Sequence, residues 1–233
     1  MTTPSAPAPT TDPEANTAAG ATPQTGRTPR QRLVVWTSIV ALLALSGVAA
    51  WSLINGRLPF GPPNFNGLVI QSPNQAPDFT LTAHTGERMS LSDWRGKVVL
   101  LYYGYTFCPD VCPTTMNELK KMNAALGRRA DDVQVVLVSL DPDRDTPAVL
   151  REYLSHFDPS FVGLTGTDEE LLAATTPFGI YYNRHEGTAA TGYLVDHTAS
   201  VSVIDKEGYL RIVYPFDTKG QDMAEDVRYL VRD

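Results

Sequence analysis

Two cysteines, Cys108 and Cys112, are all the chain contains, and they stand together in Thr106-Phe107-Cys108-Pro109-Asp110-Val111-Cys112-Pro113. A thiolate, unlike a thiol, attacks disulfides and ligates soft metals, so what matters is what surrounds the pair. The apolar run Val98-Val99-Leu100-Leu101-Tyr102-Tyr103 precedes it, the pattern of a strand buried on both faces, with Gly104 marking its end. Pro113 suits the first position of a helix, which puts Cys112 at or near the N-cap. Both sulfurs then lie at the positive end of a helix, where free N–H groups and the dipole favour thiolate. A structural disulfide is the competing reading, since this separation permits the required Cα distance. A loop so short removes little entropy from the unfolded chain, which argues against it.

The remaining sequence must position this turn. Its 233 residues carry a net charge of −7, with lysines and arginines scattered, which argues against nucleic acid as a partner. Residues 1–32 open with a Pro, Thr, Ala, Ser and Gly stretch that cannot bury enough to offset its ordering entropy, and read as a disordered cytoplasmic tail. Residues 33–54, LVVWTSIVALLALSGVAAWSLI, contain no charge and are long enough for a hydrocarbon core of roughly 30 Å. Trp36 and Trp51 stand toward the two ends, as interfacial aromatics do. Arg27, Arg30 and Arg32 precede this anchor and only Arg57 closely follows, so the positive-inside bias keeps the N-terminus in the cytoplasm. The expected location is a bacterial cytoplasmic membrane, crossed once, with the C-terminal domain outside; the apolar stretch is too long and too late for a cleaved signal peptide. Residues 55–75, rich in Pro, Gly and Asn, read as a flexible linker.

Residues 76–233 read as one α/β domain with parallel and antiparallel strands in a central sheet. A hairpin is expected from Asp78–Thr82 to Met89–Leu91, a helix from Pro113 to a C-cap at Gly127, and a second buried strand over Val133–Leu140, making a parallel β-α-β unit. Asp141-Pro142-Asp143-Arg144-Asp145-Thr146-Pro147 follows; it reads as a polar turn ahead of a helix capped by Thr146, with a hard-cation site as the alternative. A short strand is expected at Phe161–Leu164, a helix at Asp168–Thr176, a polar irregular stretch at Tyr181–Gly192, a hairpin of Ser200–Asp205 with Tyr209–Tyr214, and a closing helix over Lys219–Arg232. Met116 and Met122 fit the core face of the first helix.

Ala76-Pro77-Asp78-Phe79, Arg95-Gly96-Lys97-Val98, the Gly104–Pro113 segment, Asp141–Thr146 and Val195-Asp196-His197 together resemble the Sco/SenC proteins. The first two stretches are common to thioredoxin-like proteins; the three-residue spacing of the cysteines and the distant Asp-His pair are more specific. The resemblance implies a thioredoxin-like fold that binds one copper ion and assists assembly of the dinuclear copper centre of cytochrome c oxidase. It also implies Cys108, Cys112 and His197 as ligands, the copper-bearing oxidase subunit as recipient, and a thiol reductant protein as partner. Ser202 and Val203 depart from the family's bulkier residues and leave local packing open. Two thiolates and an imidazole suit Cu(I), with Cu(II) also conceivable, whereas Zn(II) would ask for a fourth ligand. By position alone His197 reads more readily as a hydrogen-bonded core residue, and the resemblance reverses this; His84, His156 and His185 read as surface residues, and Asp196 should face away from His197.

The main alternative is a thiol–disulfide oxidoreductase in which Cys108 and Cys112 form the redox pair, one attacking and one resolving. Their three-residue spacing and the remote histidine favour copper carriage over that catalysis. A peroxiredoxin would place its threonine and proline differently from Thr106.

Overall fold

The computed structural model describes residues 28–55, 64–71, 73–188 and 192–232. The expected disorder of residues 1–27, and residues 56–63 of the linker, lie outside these. The chain divides into two units, one ending at Pro62 and the other beginning at Pro63.

In the first unit a helix, α1, spans Pro29–Asn55. It starts ahead of the apolar run because Thr28, Pro29 and Gln31 form a helix start: the Thr28 N–H donates to Gln31 Oε1 at 3.0 Å and the Gln31 N–H to Thr28 Oγ1 at 3.4 Å. Its stretch Pro29–Ser52, which contains an 18-residue window of mean hydropathy 2.2, is long and apolar enough to cross a membrane.

The second unit is built on an eight-stranded mixed sheet. Its strands are β1 (Leu68–Val69), β2 (Thr80–Ala83), β3 (Arg88–Ser90), β4 (Val98–Gly104), β5 (Val133–Ser139) and β6 (Val162–Thr165). A separate pair, β7 (Tyr182–Glu186) and β8 (Tyr193–His197), precedes β9 (Val201–Ile204) and β10 (Leu210–Tyr214). The helices are α2 (Val111–Leu126), α3 (Pro147–Ser155), α4 (Asp168–Thr175) and α5 (Gly220–Leu230). The large sheet runs β1-β10-β9-β4-β5-β6-β2-β3. All seven residues of β4 are buried, as the unbroken apolar run requires, and β4 pairs parallel with β5 and antiparallel with β9. This is the mixed α/β, thioredoxin-like architecture expected. Met116 and Met122 are fully buried on α2, and Ser202 and Val203 are buried in β9.

Three local expectations need correcting. Helix α2 begins at Val111 with Asp110 as its N-cap, so Cys112 lies inside the first turn and Pro113 is the third helical residue. The first four N–H groups of a helix have no intrahelical partner, so proline is as harmless there as at the first position. The stretch Tyr181–Gly192 is not wholly irregular: β7 pairs antiparallel with β8 as a two-stranded sheet. Its polar, exposed residues Asn183, His185 and Glu186 hid the strand, because a ribbon with little core contact carries no apolar alternation. Part of the linker also belongs to this unit, with Leu68 and Val69 pairing β10 as an edge strand. Asn66 fastens that approach, its N–H donating to the buried carboxylate of Asp226 at 2.8 Å.

The turn between β9 and β10 needs glycine. Gly208 has φ +87°, and a Cβ there would overlap the guanidinium of Arg95, which reaches across to donate to the Glu207 carbonyl at 2.7 Å.

Candidate metal centre

Parallel neighbours β4 and β5 end side by side, Gly104 opposite Ser139, and the functional side chains gather at those carboxyl ends. Cys108 lies in the loop after β4, Cys112 in the first turn of α2, and His197 is the last residue of β8. Their ligand atoms all lie within 4.8 Å of one another, and among the described residues they form the one His, Cys and carboxylate group so arranged. Cys112 Sγ is 3.4 Å from His197 Nε2. The cysteines are free thiols, so the disulfide reading does not describe this state.

The two sulfurs are unlike. Cys112 is 1% exposed, while Cys108 borders an open cleft of about 260 Å³ that Tyr105, Asp110 and His197 also line. The Cys112 thiol donates to Cys108, His197 adds a hydrogen bond, and N–H groups of the helix start, including that of Cys112 at 3.4 Å, point at the Cys108 sulfur. Together they outweigh partial burial and hold Cys108 far below the usual thiol range, at about 3. Cys112 moves the opposite way, raised by its bond to Cys108, then by burial and by the nearby thiolate. The pair is an accessible thiolate leaning on a buried thiol.

His197 is presented with a defined ring face. Its Nδ1 lies 3.3 Å from the Thr198 carbonyl and its Nε2 is turned toward the sulfurs: with the proton on Nε2 the ring donates to Cys108, and with the proton on Nδ1, held by Thr198, the Nε2 lone pair is free to ligate. Tyr105 and Tyr102 meet the ring edge-on, with centroids 6.0 and 6.3 Å away. The other histidines are elsewhere. His84 Nδ1 accepts the Gly163 N–H at 3.1 Å, His156 caps the end of α3, and His185 pairs with Asp196 at 3.3 Å. His185 also lines the cleft. Asp196 faces away from His197, as strand alternation demands, and its side chain is 75% exposed.

Gly104 makes room for the buried sulfur. A Cβ there would stand 2.9 Å from Cys112 Sγ and 2.9 Å from a ring carbon of Tyr102, with no slack in a fully buried strand. Gly104→Ala is expected to destabilise the reduced protein by about 1–3 kcal/mol, read as a lowered urea midpoint at unchanged slope.

The turn of aspartates was read from sequence as helix capping, and Thr146 does cap α3, accepting the Val149 N–H at 3.3 Å. Asp141 and Asp145 do something more specific: both are fully buried. Asp145 accepts from the Thr106 N–H (3.0 Å), the Thr106 hydroxyl (2.5 Å) and the Ser139 hydroxyl (2.5 Å), tying the cysteine loop to the end of β5. Asp141 pairs with Arg144 and accepts the Tyr193 hydroxyl from β8. These residues, with Tyr105 and Tyr193, were missed as parts of the site. The available signal was the repeated aspartate at the end of a buried strand parallel to the cysteine strand.

Residues 69–232 match the family model described as SCO1/SenC. A SCO2-like protein of Rickettsia felis is 37% identical over 150 residues, covering 64% of this chain and 73% of that protein. The copper-bound structure of Bradyrhizobium japonicum ScoI superposes with a TM-score of 0.62 at 34% identity, covering 67% of this chain and 99% of the other. The apo solution structure of Thermus thermophilus Sco1 does so with a TM-score of 0.64 at 40% identity, covering 72% and 97%. The matched residues 69–232 include the cysteine loop, the aspartate turn and the histidine strand: the chain belongs to the SCO1/SenC family.

Proposed function

We propose that this protein is a membrane-anchored copper metallochaperone that holds one copper ion, as Cu(I), on Cys108, Cys112 and His197 and passes it toward the dinuclear copper centre of cytochrome c oxidase. The observation that carries this is the convergence of two sulfurs and one imidazole nitrogen within 4.8 Å, from three separate segments, at the edge of an open cleft. The donor set fits: sulfur and imidazole are soft, three donors satisfy Cu(I), and no carboxylate joins the group among the described residues. Copper, when bound, would supply the charge that draws the second proton from Cys112. The chain's own residues present Nε2, keep Cys108 ionised and leave one side of the pair open. Structural relatives with copper bound support the choice of ion, and the Sco family's place among cytochrome c oxidase assembly proteins supports the recipient.

Helix α1 serves as the anchor in this reading, with the arginines before it cytoplasmic and the folded domain outside. An extracytoplasmic setting tends to oxidise two adjacent thiols of which one is accessible, so a thiol reductant must restore the binding form. The asymmetry of the sulfurs favours a second reading, a thiol–disulfide oxidoreductase with Cys108 attacking and Cys112 resolving.

Titrating the reduced full-length protein in detergent with Cu(I) against a competing chelator separates the two. Stoichiometric one-to-one binding supports carriage. Catalytic reduction of a model disulfide with no copper retained would replace it by the second reading.

A further inference from the structure

The cysteines follow β4 of the large sheet, in a loop and a helix start, while His197 ends β8 of the small sheet, and one cation lies between the two parts. The guanidinium of Arg144 sits 4.8 Å from the ring centroid of Phe107, next to Cys108, and 3.7 Å from that of Tyr193 on β8. Its Nη1 donates to the Tyr193 carbonyl at 3.0 Å and its Nε pairs with buried Asp141, which also accepts the Tyr193 hydroxyl. Tyr193, Val195 and His197 alternate onto the same side of β8. Val195 is held as well, its N–H donating to the Tyr105 hydroxyl at 3.2 Å. On β7, Arg184 lies 5.4 Å from the Tyr193 ring and pairs with Asp143 at 2.5 Å. Because β7 and β8 bond only to each other within their sheet, these side-chain contacts bind the ribbon to the Asp141–Asp145 turn.

We infer that Tyr193 is a positioning residue for His197: clasped by Arg144 and Asp141, it fixes the ribbon so that Nε2 meets the sulfurs, and Arg144 sets the Cys108 loop and the His197 ribbon against a common reference. The inference rests on the ligand assignment proposed above. The clasp touches no ligand atom; it acts through the backbone of β8, four residues from the imidazole.

Tyr193→Phe removes the hydroxyl bond to Asp141 and keeps the ring over Arg144. In the reduced full-length protein it should lower Cu(I) affinity about tenfold, the lower end of what loss of a ligand-orienting partner costs. In a His197→Ala background the same change should cost nothing further, since it acts through His197. Without metal, amide hydrogen exchange should quicken over Leu194–His197 and stay unchanged in β4. Arg184→Gln should quicken the same amides more mildly and serves as the second variant. Unchanged exchange in both variants, or an affinity loss that persists in the His197→Ala background, would overturn the inference. If His197→Ala itself binds Cu(I) as tightly as the parent, the ligand assignment fails; the exchange experiment on metal-free protein then still decides the clasp by itself.

Discussion

His197→Ala is expected to lower the Cu(I) affinity of the reduced protein by at least about a hundredfold, above the ~10–100-fold lost when a group one step removed from a metal is deleted. His185→Ala leaves it within about twofold. The contrast follows from placement. His197 Nε2 is 3.4 Å from Cys112 Sγ with its other nitrogen turned to a carbonyl, whereas the His185 ring is committed to Asp196 on the opposite side of the ribbon. Competition titration with a chromophoric Cu(I) chelator measures both. Equal affinities in the two variants would dismiss the imidazole as a ligand.

The second large effect is in cysteine chemistry. At pH 5 an ordinary thiol near pKa 8.5 is ionised about once in three thousand molecules, yet Cys108, held at about 3, is fully thiolate. In metal-free reduced protein, iodoacetamide should therefore alkylate Cys108 at a rate nearly level from pH 8 to pH 5. Cys112, buried and pushed the other way, should label only after unfolding. Peptide mass spectrometry of the two sites reads this directly, and a Cys108 rate falling tenfold per pH unit below 8 would show a normal thiol. The same displacement links to stability. A depressed folded pKa contributes stability that grows as pH climbs from the folded value and is complete only above the unfolded thiol pKa. Cys112, raised in the folded state, contributes with opposite sign above the unfolded pKa, so the reduced metal-free protein should be least stable at the acid end of this window.

Where burial was complete, the sequence was legible. Val98–Gly104 could only be a central strand, since every residue meets protein on both sides, and Thr146-Pro147 announced the start of α3 because cap and proline act locally. The cysteine pair was recognisable from spacing and neighbours. His197 was not: position alone made it more readily a core residue, and the family resemblance reversed that. Strands β7 and β8 escaped notice because a two-stranded ribbon held by Arg–aromatic and carboxylate contacts shows no apolar period. Asp141 and Asp145 looked like turn residues because a carboxylate facing water and one buried among donors have the same local sequence. Only the adjacency of two parallel strand ends, a tertiary fact, separates the cases.

The architecture also dictates an order of departure. Moving the Cys112 sulfur means disturbing the first turn of α2, and the loop that carries Cys108 is tied through Thr106 to buried Asp145 at the end of β5. Swinging the imidazole outward ruptures none of the eight-strand ladder, because its strand has no rung there. In the proposed carriage a recipient would meet a vice with one jaw built into the large sheet and its first helix and the other held by side chains alone, so the nitrogen should let go before the sulfurs.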